Sequence, residues 1–78
     1  MVFKILKTKK VTIKARNGFD FVVRLLMMFR KRRFDVQDLK VNYKKDDEVC
    51  SVVVQVGEKD LEQLVKQSEK LIDVVEVT

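Results

Sequence analysis

The sequence predicts a single α+β domain in which a four-stranded antiparallel sheet carries two helices on one face. Three observations predict it. Two stretches, around Phe21 to Phe29 and Leu61 to Ile72, space apolar residues three and four apart, the repeat of a helix buried along one side. Three others alternate apolar with polar residues, the period of a half-buried strand, and a short Val-rich segment closes the chain. They follow one another as strand, helix, strand, strand, helix, strand. A chain of 78 residues has room for one core, and a marginal one unless something adds to it; oligomerisation is a common answer at this size.

Met1 to Thr8 alternates only loosely, as a frayed end or as a lengthening of the first strand. The first clear strand sets Val11, Ile13 and Ala15 against Lys10, Thr12, Lys14 and Arg16. A tight polar turn follows, Asn17 to Asp20, with Asn17 or Gly18 able to take a positive φ and Asp20 placed to cap the helix. In that helix Val22, Leu25, Leu26 and Phe29 fall at i, i+3, i+4 and i+7 and form the inner stripe. Val23 and Met27 flank the stripe on one side, Phe21 and Met28 on the other, and Arg24 is the one polar residue between Phe21 and Phe29. A helix on one small sheet keeps a polar outer half, so the apolar excess points to burial on a second side by another chain. The alternative is that the Met residues fill irregular gaps in the core. The helix ends near Arg32, where Arg30, Lys31, Arg32 and Arg33 gather at the negative end of its dipole.

Asp35 to Lys44 reads as the second strand, with Leu39, Val41 and Tyr43 inward and Lys40 and Asn42 outward. Lys45, Asp46 and Asp47 form a polar hairpin turn. Val49 to Val56 is the third strand, with Cys50, Val52, Val54 and Val56 on one face and Ser51, Val53 and Gln55 on the other, and Gly57 breaks it. Glu58 to Ile72 carries Leu61, Leu64, Val65, Ser68, Leu71 and Ile72 along one side, with a Glu62–Lys66 pair at i, i+4. Val74 to Val77 is the last strand. Two right-handed crossovers in one sheet give the ferredoxin-like βαββαβ arrangement.

Composition narrows the function. There is no histidine, no pair of cysteines for zinc, no Gly-rich phosphate loop and no nucleophile with a histidine to activate it. The carboxylates are scattered, so catalysis is not expected, nor a metal or cofactor. No run approaches the roughly 20 apolar residues of a membrane span, and Met1 to Leu6 is too short and too broken by lysine for a signal peptide. Cys50, the one cysteine, sits in an apolar strand and reads as a small buried hydrophobe, in keeping with a cytoplasmic protein. The net charge of +5 accompanies 37% charged residues, which fits either an acidic partner or a thermally robust soluble domain.

Gly18-Phe19-Asp20-Phe21-Val22 is similar to the Gly-Phe-Gly-Phe-Val heart of an RNA-recognition signature. That signature stacks bases from a central strand, whereas here it spans a strand-to-helix junction. The outward sheet positions (Lys10, Thr12, Lys14, Arg16, Lys40, Asn42, Ser51, Val53, Gln55) include no aromatic residue. Basic charge alone would give weak phosphate contact.

Three segments carry a stronger resemblance. Lys70-Leu71-Ile72-Asp73-Val74-Val75-Glu76-Val77 resembles the Lys-Leu-Val-Asp-Val-x-x-Val close of the ACT domain in the small regulatory subunit of acetohydroxyacid (acetolactate) synthase. Phe29-Arg30-Lys31-Arg32-Arg33-Phe34-Asp35-Val36 resembles that family's helix exit, and Lys14-Ala15-Arg16 with the following turn is similar to the shorter, isozyme II type of subunit. The resemblance implies an ACT domain over roughly Lys9 to Val77, a homodimer joined by side-to-side sheet extension, and a cytoplasmic regulatory role without catalysis.

It also implies a ligand site and a reason for that site to bind weakly. Valine-binding members carry an Asn and, three residues on, a Gly in the turn before the first helix, whose N–H groups receive an amino acid's carboxylate. Asn17 matches the first position, but Asp20 stands at the second. Its charge repels a carboxylate and its oxygens can occupy the N–H groups, so feedback is expected to be weak or lost. Arg33 stands where the family has a Gly and where a left-handed residue is needed, at roughly 1 kcal/mol for a side chain. The larger small subunits also carry a C-terminal domain beyond this length.

The leading expectation is therefore a regulatory subunit that activates the thiamine-diphosphate-dependent catalytic subunit of acetohydroxyacid synthase, touching it or a second copy through Val23, Met27, Arg30 and Lys31. The alternatives are a free-standing ACT module that binds an amino acid at Asn17, Gly18, Phe19 and Asp20, and a basic RNA-binding module.

Overall fold

The structure, a computed structural model, describes residues 8–46 and 48–78. Its elements are β1 (Thr8–Ala15), α1 (Gly18–Arg32), β2 (Val36–Asn42), β3 (Cys50–Gly57), a single 3₁₀ turn (Glu58–Asp60), α2 (Leu61–Glu69) and β4 (Val74–Val77). The strands lie in the order β2-β3-β1-β4, and each neighbouring pair is antiparallel. This is the ferredoxin-like βαββαβ arrangement. The loosely alternating start of the chain, up to residue 7, and Asp47 of the hairpin turn lie outside the described residues. Among the described residues no helix is long and apolar enough to cross a membrane.

Register explains the core. The pairs Val11–Val54, Ile13–Val52 and Ala15–Cys50 set these side chains on one face, and all six are buried. Phe21, Leu25 and Phe29 of α1 and Leu64 of α2 close over that face, so both helices lie on it. Fully burying an aliphatic or Phe side chain is worth about 1.5–3 kcal/mol, and this shared cluster holds the domain together. On the other face the pairs Thr12–Val53, Lys40–Val53 and Asn42–Ser51 carry no aromatic ring, as the outward positions predicted. Arg16 does not join them: it lies beyond the end of β1, in the turn.

The structure corrects several expected boundaries and faces. The inner stripe of α1 is Phe21, Leu25 and Phe29, with Val22 and Met28 half-buried, while Leu26 is 41% exposed. The helix is rotated from the expected stripe because Gly18, at its first position, is buried against the Tyr43 ring, which would overlap a Cβ there. Turning inward from Gly18 brings the two phenylalanines down, and they bury more area than Val22 and Leu26 would.

β2 is shorter than the alternating pattern, carries a bulge between Val36 and Asp38, and stops at Asn42. It is an edge strand with one neighbour, so Val41 and Tyr43 remain half-exposed on their inner side. The expected Glu58 to Ile72 helix is a 3₁₀ turn followed by nine residues of α-helix. The chain leaves it after Lys70 and turns Ile72 out to 91% exposure. Inside α2 the Ser68 hydroxyl is buried without a hydrogen-bond partner, at a cost of order 1–3 kcal/mol.

The exit from α1 follows expectation. Arg33 takes the left-handed conformation (φ 55°, ψ 43°), and its N–H turns back to the carbonyls of Arg30 and Phe29. Phe34 then packs its ring at 57° to that of Phe29, centroids 6.1 Å apart, and leads the chain into β2. The Asp60 carboxylate accepts the Asp35 N–H at 2.8 Å, tying the start of α2 to the entry of β2.

Candidate functional site

The turn between β1 and α1 is shaped by one residue. Asn17 is left-handed (φ 59°, ψ 30°) and occupies the cap position, and its carbonyl accepts the first helical bond, from the Phe21 N–H at 3.1 Å. Asparagine tolerates this conformation better than most residues. It does not cap the helix with its side chain; its Nδ2 instead donates to Asp73 Oδ1 at 2.8 Å. Arg24 Nη1 donates to the other Asp73 oxygen at 3.0 Å, and the Arg16 N–H donates to the Asp73 carbonyl at 2.8 Å. The expected capping role of Asp20 is thus corrected. Asp20 is the third residue of the helix, and the side-chain bonds at this turn run through Asn17, because the left-handed Asn17 brings the helix in three residues earlier. Gly18 needs no positive φ; its glycine identity answers to Tyr43 instead.

Around this turn the surface opens into a cleft of about 610 Å³, lined by Arg16, Asn17, Gly18, Phe19, Asp20, Tyr43 and Glu48. The four residues singled out in the sequence come together on its wall. Tyr43 and Glu48, from the far side of the β2–β3 connection, were not anticipated. The available signal was topological: with β3 between β1 and β2, the end of β2 must lie beside the start of α1. Phe19 is 70% exposed at the rim.

The cleft's electrostatics are mixed. Asp20 and Glu48 bring two carboxylates and Arg16 a guanidinium, beside the positive end of the α1 dipole. The N–H groups of Gly18 and Phe19 have no side-chain acceptor from the cap residue, so they suit an anion, whereas Asp20 one step further opposes it. The arrangement offers a small polar molecule charged groups of both signs and two aromatic side chains. Behind it, burial pushes the Cys50 thiol above its ordinary value of 9.0, against backbone hydrogen bonds from Cys50 and Ala15 that lower it. Its Sγ reaches the Gly18 carbonyl at 4.0 Å.

The candidate contact residues lie elsewhere on α1. Val23, Met27, Arg30 and Lys31 are all exposed, and the last three line a second shallow groove with Arg33. Phe19 and Leu26 extend the exposed apolar strip and were missed, Leu26 because the helix is rotated. The apolar excess of α1 is therefore on its surface, and Met27 (65% exposed) fills no gap in the core.

Comparison with known proteins places this geometry. The model of a family described as the ACT domain matches residues 18–77. Among solved structures, the small subunit of acetolactate synthase from Thermotoga maritima superposes with a TM-score of 0.79 at 25% identity, covering 94% of this chain and 47% of that one. The chain thus spans about half the length of that subunit. The ACT domain from GTP pyrophosphokinase of Chlorobium tepidum gives 0.74 at 12% identity, covering 92% of this chain and 83% of that one. The C-terminal domain of the MgtC protein from Mycobacterium tuberculosis gives 0.69 at 12%, covering 100% and 89%. These last two attest the fold alone. None of the curated proteins matches the sequence. With the family match running from the first residue of α1 to the last of β4, over strands in this order, the chain belongs to the ACT domain family.

Proposed function

We propose that the protein is a non-catalytic regulatory subunit of acetohydroxyacid synthase, of the shorter isozyme II type, that binds and activates the catalytic subunit in branched-chain amino acid synthesis. The observation that carries this reading is the likeness to the Thermotoga maritima small subunit, which extends over 94% of the chain at a TM-score of 0.79. Activation by such a subunit is a population shift: it binds the competent conformation of a larger partner more tightly than the idle one. The exposed strip of Val23 and Met27, ending in Arg30 and Lys31, supplies apolar area and charge for that contact. Side-to-side pairing of two copies along the edge strand β2 adds the burial that a core of this size lacks.

Valine feedback is weak or absent in this reading, because Asp20 places a negative charge where a carboxylate would dock. Titrating the protein into the synthase catalytic subunit from the same genome, and following acetolactate with and without valine, tests both halves. Saturable activation that valine does not reverse is expected. An absence of both activation and co-elution would remove the subunit reading.

The cleft itself favours a second reading, a free-standing ACT module that senses an amino acid through Asn17, Gly18, Phe19 and Asp20 and controls another enzyme. Asp20→Gly then changes amino-acid affinity markedly in a thermal-shift panel. Binding that is indifferent to that substitution excludes this cleft.

A further inference from the structure

Asp73 belongs to the corner between α2 and β4, yet three groups from the other end of the chain converge on it. The Asn17 side-chain amide and the Arg24 guanidinium take one carboxylate oxygen each, and the Arg16 N–H takes the backbone carbonyl. The Asp73 side chain is only 9% exposed. A carboxylate so far out of water persists because its oxygens are hydrogen-bonded. Asn17, for its part, is one of two non-glycine residues with positive φ among the described residues. Such a conformation persists where its surroundings hold it. Arg33, the other one, is held by the bonds of its own helix end, whereas the side-chain support of Asn17 comes from 56 residues away.

We propose that Asp73 is the positioning residue of the cleft. It holds Asn17 in the left-handed conformation and withdraws the Asn17 amide from any ligand. Recognition of an anion then falls to the N–H groups at the start of α1, of which Asn17 would cap that of Phe19 or Asp20 were its side chain free. The functional half of this proposal rests on reading the cleft as a small-molecule site; the conformational half does not.

The test is amide hydrogen exchange and NMR on the full chain. In Asp73→Ala, exchange of the Phe21 amide, which is bonded to the Asn17 carbonyl, accelerates by about tenfold. The HN–Hα coupling of Asn17 moves away from its positive-φ value, while the Leu25 and Val52 amides keep their rates. Asn17→Gly suppresses the effect, since glycine takes that φ unaided, and Asp73→Asn, which keeps an acceptor for Asn17, leaves Phe21 close to wild type. Uniform acceleration that includes Val52, or a Phe21 effect that survives Asn17→Gly, would overturn the proposal. Should Asp73→Ala not fold, folding of the Asn17→Gly/Asp73→Ala pair decides in its favour and failure of that pair decides against it.

The ligand half uses valine as the probe in an Asp20→Gly background. Adding Asp73→Ala there weakens valine binding about tenfold, and unchanged binding overturns the positioning role. If Asp20→Gly itself takes up no valine, the reading of the cleft as an amino-acid site fails, and the exchange data still judge Asp73.

Discussion

At the scale of single residues, two backbone positions and one thiol set measurable limits. Arg33 sits at φ 55° at the end of α1, where a side chain costs roughly 1 kcal/mol. Arg33→Gly is therefore expected to stabilise the domain by about 0.5–1 kcal/mol, less what the freer unfolded chain takes back, read as a higher urea midpoint at unchanged slope. A lower midpoint would show that the cation at the helix end matters more than the strain. The Cys50 thiol holds its proton more tightly when folded, because it is buried. Its stabilising contribution is complete below the ordinary value of 9.0 and is lost as pH rises through the raised folded value, since the unfolded thiol ionises first. Comparing wild type with Cys50→Ala at about pH 8 and about pH 10 isolates the thiol; the wild-type advantage shrinks at the higher pH. An advantage that stays constant would exclude the thiol. Residues of this kind differ in how legible they are. Arg33 was readable because the family resemblance sets a Gly just past the end of α1, where many helices, though not α2, close on a left-handed residue. Asn17 was readable only in part: its φ follows from the turn, but its amide goes to Asp73, a contact that no local pattern encodes.

At the scale of elements, periodicity located all four strands and both helices, and erred where a tertiary contact set the rotation or the end. The rotation of α1 is fixed by Gly18 against Tyr43, and the early end of α2 by the turn that delivers Asp73 to Asn17. The consequence for α1 is a strip from Phe19 through Val23 and Leu26 to Met27 that faces water in the single chain. The double change Val23→Gln and Met27→Gln keeps good helix formers and touches no core residue. Stability should stay within about 0.5 kcal/mol, while under the proposed subunit role the concentration needed for half-activation of the synthase rises about tenfold or more. Equal loss of both would mean that the strip supports the fold rather than a partner.

At the scale of the whole molecule, the two helices share one face of the sheet and leave its outer strand half-covered. Val41 and Tyr43, inward by pattern, are each 44% exposed for this reason, which no single-strand pattern can reveal. The ferredoxin-like arrangement followed from the sequence because two crossovers in one sheet admit few arrangements, whereas coverage depends on where the helices come to rest. Under the proposed pairing of two copies along β2, Val41→Lys should leave the monomer folded and shift sedimentation toward the monomer across a dilution series, as charged edges resist strand pairing. A sedimentation profile identical to wild type would place any self-association elsewhere. The edge has one further consequence. Tyr43 is the protein's one tyrosine, there is no tryptophan, and its ring rests on Gly18 at the wall of the cleft. Excited at wavelengths beyond the absorption of the phenylalanines, the native, unlabelled chain therefore emits from a single chromophore in that wall, and its intensity and anisotropy give a dye-free optical record of whatever enters the cleft or closes over it.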